Sequence, residues 1–416
     1  MSGAQTKPLL VVGGGIAGVT AALEAAEAGQ PVVLVERDPS VGGRVLKNHQ
    51  YFPKLCPPSC GMEINTRRVG KNPLVRLLTG SEVRGAERTD TGWRVTVHRK
   101  AEYVTSACTT CGECTKACKA TVADPFELGL AKAPAIRLPH AEAYPRRFVM
   151  DREACPSGCR ACADACKVPG AIDLDAKDKD EQIEVSSVVV ATGWTPYPME
   201  KLVELGGGVL KDVIANVHME RYAAPAGPTG GKIVRPSDGA APKRVAFVQC
   251  AGSRDVKHLP YCSSVCCSVS MKQALYVKSQ LPDTEVTVYY IDRRTMGRNE
   301  AMITKAEAAG VKLVKGKVGK VTQGPGGALA LRVEDVEAGR TLDAQADLVV
   351  LATGMVPRAN GELAIAVARD ADGFALDDRK AKLFVAGVAR RPEDVASSVR
   401  DATGAAAKAI GAARSV

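Results

Sequence analysis

Twelve of the fourteen cysteines stand in three tight groups, and short fixed spacings of that kind mark metal or redox ligands. Cys108-x2-Cys111-x2-Cys114-x3-Cys118 is the compact run in which three thiolates wrap one corner of an iron–sulfur cube and the fourth reaches across to a second cube. Cys155-x3-Cys159-x2-Cys162-x3-Cys166 repeats it with one residue more in its first interval. The crossing of fourth ligands predicts one [4Fe–4S] site from Cys108, Cys111, Cys114 and Cys166, and another from Cys155, Cys159, Cys162 and Cys118. Zinc ribbons are the alternative, but they separate two Cys-x2-Cys knuckles and match this compact spacing poorly. Lys119 and Lys167 follow the fourth cysteines where proline is usual, which alters local packing, while the extra residue of the second run bulges the loop without removing a ligand.

The third group is Cys250-x11-Cys262-x3-Cys266-Cys267. Adjacent cysteines do not easily share one small tetrahedral ion, yet they can reach two irons of a larger cluster, so a third [4Fe–4S] centre is expected here. Buried structural cysteines are the alternative. Cys56-Pro57-Pro58-Ser59-Cys60 supplies the last pair: a dithiol facing a cofactor, extra cluster ligands, or buried thiols.

A second chemistry lies at the N-terminus. Gly13-Gly14-Gly15-Ile16-Ala17-Gly18 gives Gly-x-Gly-x-x-Gly directly after an apolar run, and Glu36 ends the next apolar run eighteen residues beyond Gly18. The glycines permit a tight turn and let the backbone approach a pyrophosphate at a helix N-terminus, while the acid accepts hydrogen bonds from a ribose diol. Downstream, the strand "RVAFVQ" is followed by Cys250-Ala251-Gly252-Ser253-Arg254-Asp255 with a single glycine, so a second pyrophosphate site has no support there.

The elements that must position these groups follow from periodicity. "PLLVV", an Ala-rich helix over 16–28 and "PVVLVE" at 31–36 form a βαβ unit. The stretches 92–100 and 182–191 read as strands of one antiparallel meander, and between them 104–172 reads as an inserted cluster module. The Gly/Pro-rich stretch 223–243 reads as a linker. A second α/β unit starts at 244, with a helix near 263–280 and a strand at 285–292. The predicted organisation is 1–103 first fold, 104–172 insert, 173–242 first fold and linker, 243–345 second fold with a cluster site, and 346–416 the return to the first fold.

Composition narrows the function. A chain of 416 residues builds a core without disulfide staples. The first apolar strand begins after seven residues, leaving no room for a leader, so a cytoplasmic protein is expected. No run approaches the ~18 to 20 apolar residues of a membrane span. The net charge of +10 is interspersed with acids, which gives no nucleic-acid footprint. The five histidines are scattered without a partner pattern, and the charge run at 175–181 reads as a solvated turn.

"VGGR" at 41–44, the strand ends "VVVATGWTP" (188–196) and "VVLATGMVP" (349–357), and "LFVAGVARRPEDVASS" (383–398) resemble FAD-dependent disulfide reductases of the two-dinucleotide-fold class. The resemblance implies a thioredoxin-reductase-like α/β flavoprotein carrying an inserted ferredoxin-like 2[4Fe–4S] module. It also implies cofactor contacts at Gly13, Gly15, Ala17, Gly18, Glu36, Arg37, Gly43, Arg44, Ala191, Thr192, Gly193, Gly354 and Gly387. The usual Gly-Asp after the last strand, which contacts the ribityl chain, is replaced by Ala386-Gly387.

The stretch from Cys250 through "SVSMKQAL", with the insert and the 385–410 tail, resembles the HdrA flavoprotein subunits of heterodisulfide reductases. "NHQYFPKLCPPSCGMEIN" (48–65) resembles one branch of them, the A subunits of quinone-interacting membrane-bound oxidoreductases (QmoA). That branch implies a flavin and iron–sulfur electron-transfer subunit between the menaquinone pool and adenylylsulfate reductase. It implies a QmoB-like HdrA-type partner and a QmoC-like haem-bearing membrane subunit, through which the chain would attach peripherally to the inner membrane. Other readings are an HdrA-type subunit of a heterodisulfide-reductase-like complex and an NAD(P)H-oxidising flavoprotein like the small subunit of glutamate synthase.

Overall fold

The structure is a computed structural model that describes residues 6–295, 297–358 and 363–414. Its first sheet has five parallel strands in the order Leu383–Val385, Val188–Val190, Leu9–Val12, Val32–Val35 and Val75–Leu78. The first four are continuous apolar runs buried on both faces, as a covered parallel sheet requires. Helices Ile16–Glu27 and Val395–Arg414 cover one face; Ala21, Ala22 and Ala25 meet Ala402, Ala405, Ala406 and Ala409 in one core, and such small residues let two helices seat closely on the strands. The other face is covered by an antiparallel sheet of Ser81–Thr89, Gly92–Arg99 and Lys179–Val185.

The sequence expectation of one meander strand over 182–191 is corrected. The run divides at Ser186-Ser187: Lys179–Val185 pairs antiparallel with Gly92–Arg99, and Val188–Val190 joins the parallel sheet. The charge run 175–181 is also more than a solvated turn. Asp178 and Asp180 grip the two ring nitrogens of buried His98 at 3.0 and 2.7 Å, which ties the chain leaving the insert to the meander.

The second sheet has seven strands in the order Val213–Ala215, Leu348–Thr353, Arg244–Ala251, Glu285–Tyr290, Lys312–Gln323, Leu329–Asp335 and Arg340–Ala346, the first five parallel. Helices Asn216–Ala223, Cys266–Gln280 and Ala301–Ala308 pack on one face. Residues 213–215, within the range 173–242, and the strand 348–353, both given to the first fold from sequence, pair in the second sheet. A buried apolar strand has no periodicity that tells which sheet it will join. The chain crosses between the folds twice, and the crossings pair antiparallel with Trp194 opposite Pro357.

Between Val104 and Ile172, which form an isolated bridge, the chain makes two short strand pairs and the short helices Glu113–Ala117 and Ala161–Asp164. This segment is braced to the second fold. Arg221 of helix Asn216–Ala223 donates to both Glu127 carboxylate oxygens at 2.7 and 2.8 Å and to the Lys47 carbonyl at 3.0 Å, with its guanidinium 4.8 Å from the Phe126 ring centre. Both charged side chains are at least nine-tenths buried, so the pair is desolvated and two-pronged.

Candidate functional site

A cavity of about 490 Å³ runs along the carboxyl ends of the first sheet's strands and is closed by residues of the second fold. The turn after Leu9–Val12 has the shape its glycines dictate. Gly13 has φ +106°, and a Cβ there would lie 2.4 Å from the Ala191 carbonyl oxygen. Gly15 precedes the helix with open space where a Cβ would be, so its backbone is bare to an approaching ligand. Two outcomes follow. Gly13→Ala costs about 1–3 kcal/mol of stability through strain and contact. Gly15→Ala leaves the melting temperature of the flavin-free protein unchanged but weakens FAD binding at least about tenfold, because its methyl occupies the phosphate approach. Thermal melts and flavin titration check both.

Glu36 is buried, and its carboxylate accepts the Gly14 N–H and, at 2.7 Å, the Asp38 N–H. Burial, followed by the nearby Asp38 charge, raises its pKa to about 7. The unfolded carboxyl ionises near 4.5, so between that pH and 7 the unfolded state gives up its proton first. The flavin-free protein is expected to lose on the order of 3 kcal/mol as pH rises through that window. Glu36→Gln removes the slope, which denaturation at pH 4.5 and 8 would measure.

Cations converge farther along the wall. Burial and then Arg358 bring the Arg44 guanidinium down to about 10; burial and then Arg44 bring the Lys47 ammonium down to about 8. Arg44 also lies 4.6 Å from the Trp194 ring centre. Three wall residues carry buried polar atoms without a hydrogen bond among the described residues: Thr192 Oγ1, Arg358 Nε and both Glu393 carboxylate oxygens. Bare backbone, crowded cations and orphaned polar atoms together fit a dinucleotide, whose phosphates, hydroxyls and ring edges would meet them.

Of the predicted cofactor residues, Gly13, Gly15, Ala17, Glu36, Arg37, Gly43, Arg44, Ala191, Thr192 and Gly193 line this cavity. Gly18, Gly354 and Gly387 are not on its wall. Their missing side chains serve packing: a Cβ would lie 1.7 Å from the Gly13 oxygen, 2.3 Å from Ser253 Oγ and 2.8 Å from the Ala17 Cβ, respectively. Cys56 and Cys60 are also off the wall; Tyr51 and Phe52 of the same loop form it. Sequence reasoning missed Lys47, Asn216, Glu220, Lys272, Arg358 and Glu393. Lys272 is a charged residue in a helix buried along most of its length, the one available sign.

Cys108, Cys111, Cys114 and Cys166 line one apolar cleft. Burial and the neighbouring Cys108 and Cys166 push the Cys114 thiol up, and burial with Cys155 and Cys118 does so for Cys162. Cys266 is raised by burial and by Cys250, Cys267 and Cys262. Backbone N–H groups of Thr110, Ser264 and Arg294 donate to the sulfurs of Cys108, Cys262 and Cys267 at 3.3 to 3.4 Å. Thr110, Cys250, Arg254 and Ser264 hold positive φ in these loops, a conformation that is uncommon for such residues. Among the described residues, no three His, Cys, Asp or Glu side chains converge tightly enough for a single metal ion. In the second fold, Gly252 faces not a cavity but Tyr197, whose Cδ1 would lie 2.9 Å from a Cβ.

Residues 8–49 match the family described as FAD dependent oxidoreductase. Thioredoxin reductase from T. acidophilum superposes with a TM-score of 0.53 over 98% of this chain and 99% of its own, at 15% identity. Bacillithiol disulfide reductase Bdr from Bacillus cereus gives 0.53 over 98% and 99%, at 13% identity. The fold is thus that of the two-dinucleotide-fold, thioredoxin-reductase-like α/β class.

Its curated relatives are more particular. The A subunit of the H(2):CoB-CoM heterodisulfide,ferredoxin reductase of Methanothermobacter marburgensis is 36% identical over 417 residues, 96% of this chain and 63% of that protein. The iron-sulfur A subunit of the CoB–CoM heterodisulfide reductase of Methanocaldococcus jannaschii is 37% identical over 420 residues, with the same coverage. The chain is thus similar to heterodisulfide reductase A subunits nearly throughout, and it spans about 63% of their length. Among the described residues no helix is long and apolar enough to cross a membrane.

Proposed function

We propose that the chain is the flavin and iron–sulfur electron-transfer subunit of a heterodisulfide-reductase-type complex. The observation that carries this reading is one helix, Cys266–Gln280. Val265, Val269 and Lys272 form part of the flavin cavity's wall. In the same turn Cys267 contacts the Gln249 side chain and the Asp292 carbonyl, and Cys266 lies 4.0 Å from the carbonyl of Thr353, itself a wall residue. One turn of helix therefore separates two candidate redox sites.

Three sites would hold [4Fe–4S] clusters: Cys108, Cys111, Cys114 and Cys166; Cys155, Cys159, Cys162 and Cys118; and Cys250, Cys262, Cys266 and Cys267. The crossed neighbours of Cys114 and Cys162, the N–H donors at the sulfurs, and a relative described as an iron-sulfur subunit support this. Residues 104–172 then act as a ferredoxin-like module. When bound, FAD exchanges electron pairs and each cluster passes one electron, so the subunit converts between the two kinds of traffic. The chain's residues position the groups, exclude water and tune the sulfurs through hydrogen bonds.

The sequence of the stretch 48–65, which resembles the quinone-interacting membrane-bound oxidoreductase branch, supports that finer reading; Tyr51 and Phe52 of this stretch lie on the cavity wall. The partners would then be QmoB-like and QmoC-like subunits and adenylylsulfate reductase, with membrane attachment through the haem-bearing subunit. The Tyr197 ring against Gly252 speaks against an NAD(P)H-oxidising enzyme. Anaerobic purification of the native complex, with subunits, flavin and iron determined together, tests all of this. A flavin-bearing homodimer without iron that is bleached by NADH would sink the proposal.

A further inference from the structure

The strand Leu383–Val385 ends in Ala386-Gly387, without the aspartate that contacts the ribityl chain in flavoproteins of this class. Four acids lie close to this strand end, and three are already committed. Asp377 accepts the Val385 N–H at 2.9 Å and pairs with Arg390 and Lys408. Asp401 accepts the Gly387 N–H at 2.8 Å and pairs with Arg390 at 3.4 Å. Asp394 caps the last helix, taking the Ser397 N–H at 2.7 Å.

Glu393 differs. Its side chain is 6% exposed and lines the cavity, yet among the described residues neither carboxylate oxygen receives a hydrogen bond. The nearest cation, Arg391 Nε, is 3.4 Å away on a side chain that is 62% exposed. A buried carboxylate is an acceptor only, and leaving it without donors costs free energy that a ligand can recover. Glu36 stands at the ribose position of a dinucleotide, which leaves the ribityl hydroxyls as the donors still to be matched.

We propose that Glu393 replaces the missing aspartate and accepts hydrogen bonds from the ribityl hydroxyls of the bound dinucleotide. The inference rests on the flavin reading of the cavity. The test is FAD affinity, followed by flavin fluorescence on deflavinated and reconstituted protein, for the native chain, Glu393→Ala and Glu393→Gln. Glu393→Ala should bind FAD about ten- to a hundredfold more weakly, as for loss of hydrogen bonds to a charged group. Its flavin-free form should melt no lower than the native one, since a buried carboxylate held only by a long contact to the exposed Arg391 has been removed. Glu393→Gln, which keeps an acceptor, should fall between.

Deoxyribityl FAD analogues, lacking the 2′-, 3′- or 4′-hydroxyl in turn, give the second readout. At least one should bind the native chain about tenfold more weakly than FAD, and Glu393→Ala should no longer distinguish it. Unchanged FAD affinity in Glu393→Ala, or the same discrimination in variant and native chain, overturns the proposal. A native chain that binds no flavin overturns the reading beneath it instead.

Discussion

Cys266→Ser/Cys267→Ser protein is expected to hold roughly four fewer irons per chain, falling from roughly twelve to roughly eight, while keeping its flavin. Both thiols sit in the first turn of Cys266–Gln280 and both are buried, so serine preserves shape while removing the soft ligand. The cavity wall on this helix is made by Val265, Val269 and Lys272, which the substitution leaves in place. Electron exchange between flavin and the ferredoxin-like module should then slow by at least about a hundredfold, because the intermediate stop is gone. Iron and flavin analysis with rapid-mixing absorbance would show it. A variant with its full iron content would remove the third site from the proposal, and undiminished exchange would show that the site is not on the route.

Lys272→Met is expected to destabilise the protein by about 3–5 kcal/mol, the cost of stranding a buried charge. Lys272 Nζ lies 2.9 Å from Glu220 Oε1, and the two side chains are 2% and 4% exposed. The carboxylate also receives the Gln273 amide at 2.7 Å and the His49 N–H at 3.0 Å, but these donors carry no charge to balance it. Adding Glu220→Gln should return a large part of the loss, since the second substitution removes the charge that the first left alone. Denaturant titration of the two single variants and the double variant decides the matter. Additive losses would mean that the pair acts through packing and not through charge.

Much of this was legible in the residues because local chemistry constrained it. The Gly13–Gly18 turn and Glu36 are defined by short spacings, and the structure places them at one cavity; Cys108, Cys111, Cys114 and Cys166 line one cleft. What escaped is long-range. Lys272 meets Glu220 across 52 positions, and no periodicity joins them. "VVVATG" and "VVLATG" are nearly the same string, yet one strand enters the first sheet and the other the second. Gly354 and Gly387 match a pattern of cofactor contacts, and the pattern did not show that Ser253 and Ala17 crowd them. Glu393 came forward only when three neighbouring acids were seen to be occupied.

The clamp of Arg221 on Glu127 has a further meaning once the insert is viewed as an electron carrier. A carrier on a free tether delivers charge at the pace of its own swinging, so medium viscosity would govern turnover. Here a desolvated two-pronged pair, with the Phe126 ring beside it, pins the carrier's body to the second fold. Transfer between the pinned centres is then a matter of separation and driving force alone. Under the proposed function, the insert is fixed wiring within the chain and not a swinging carrier.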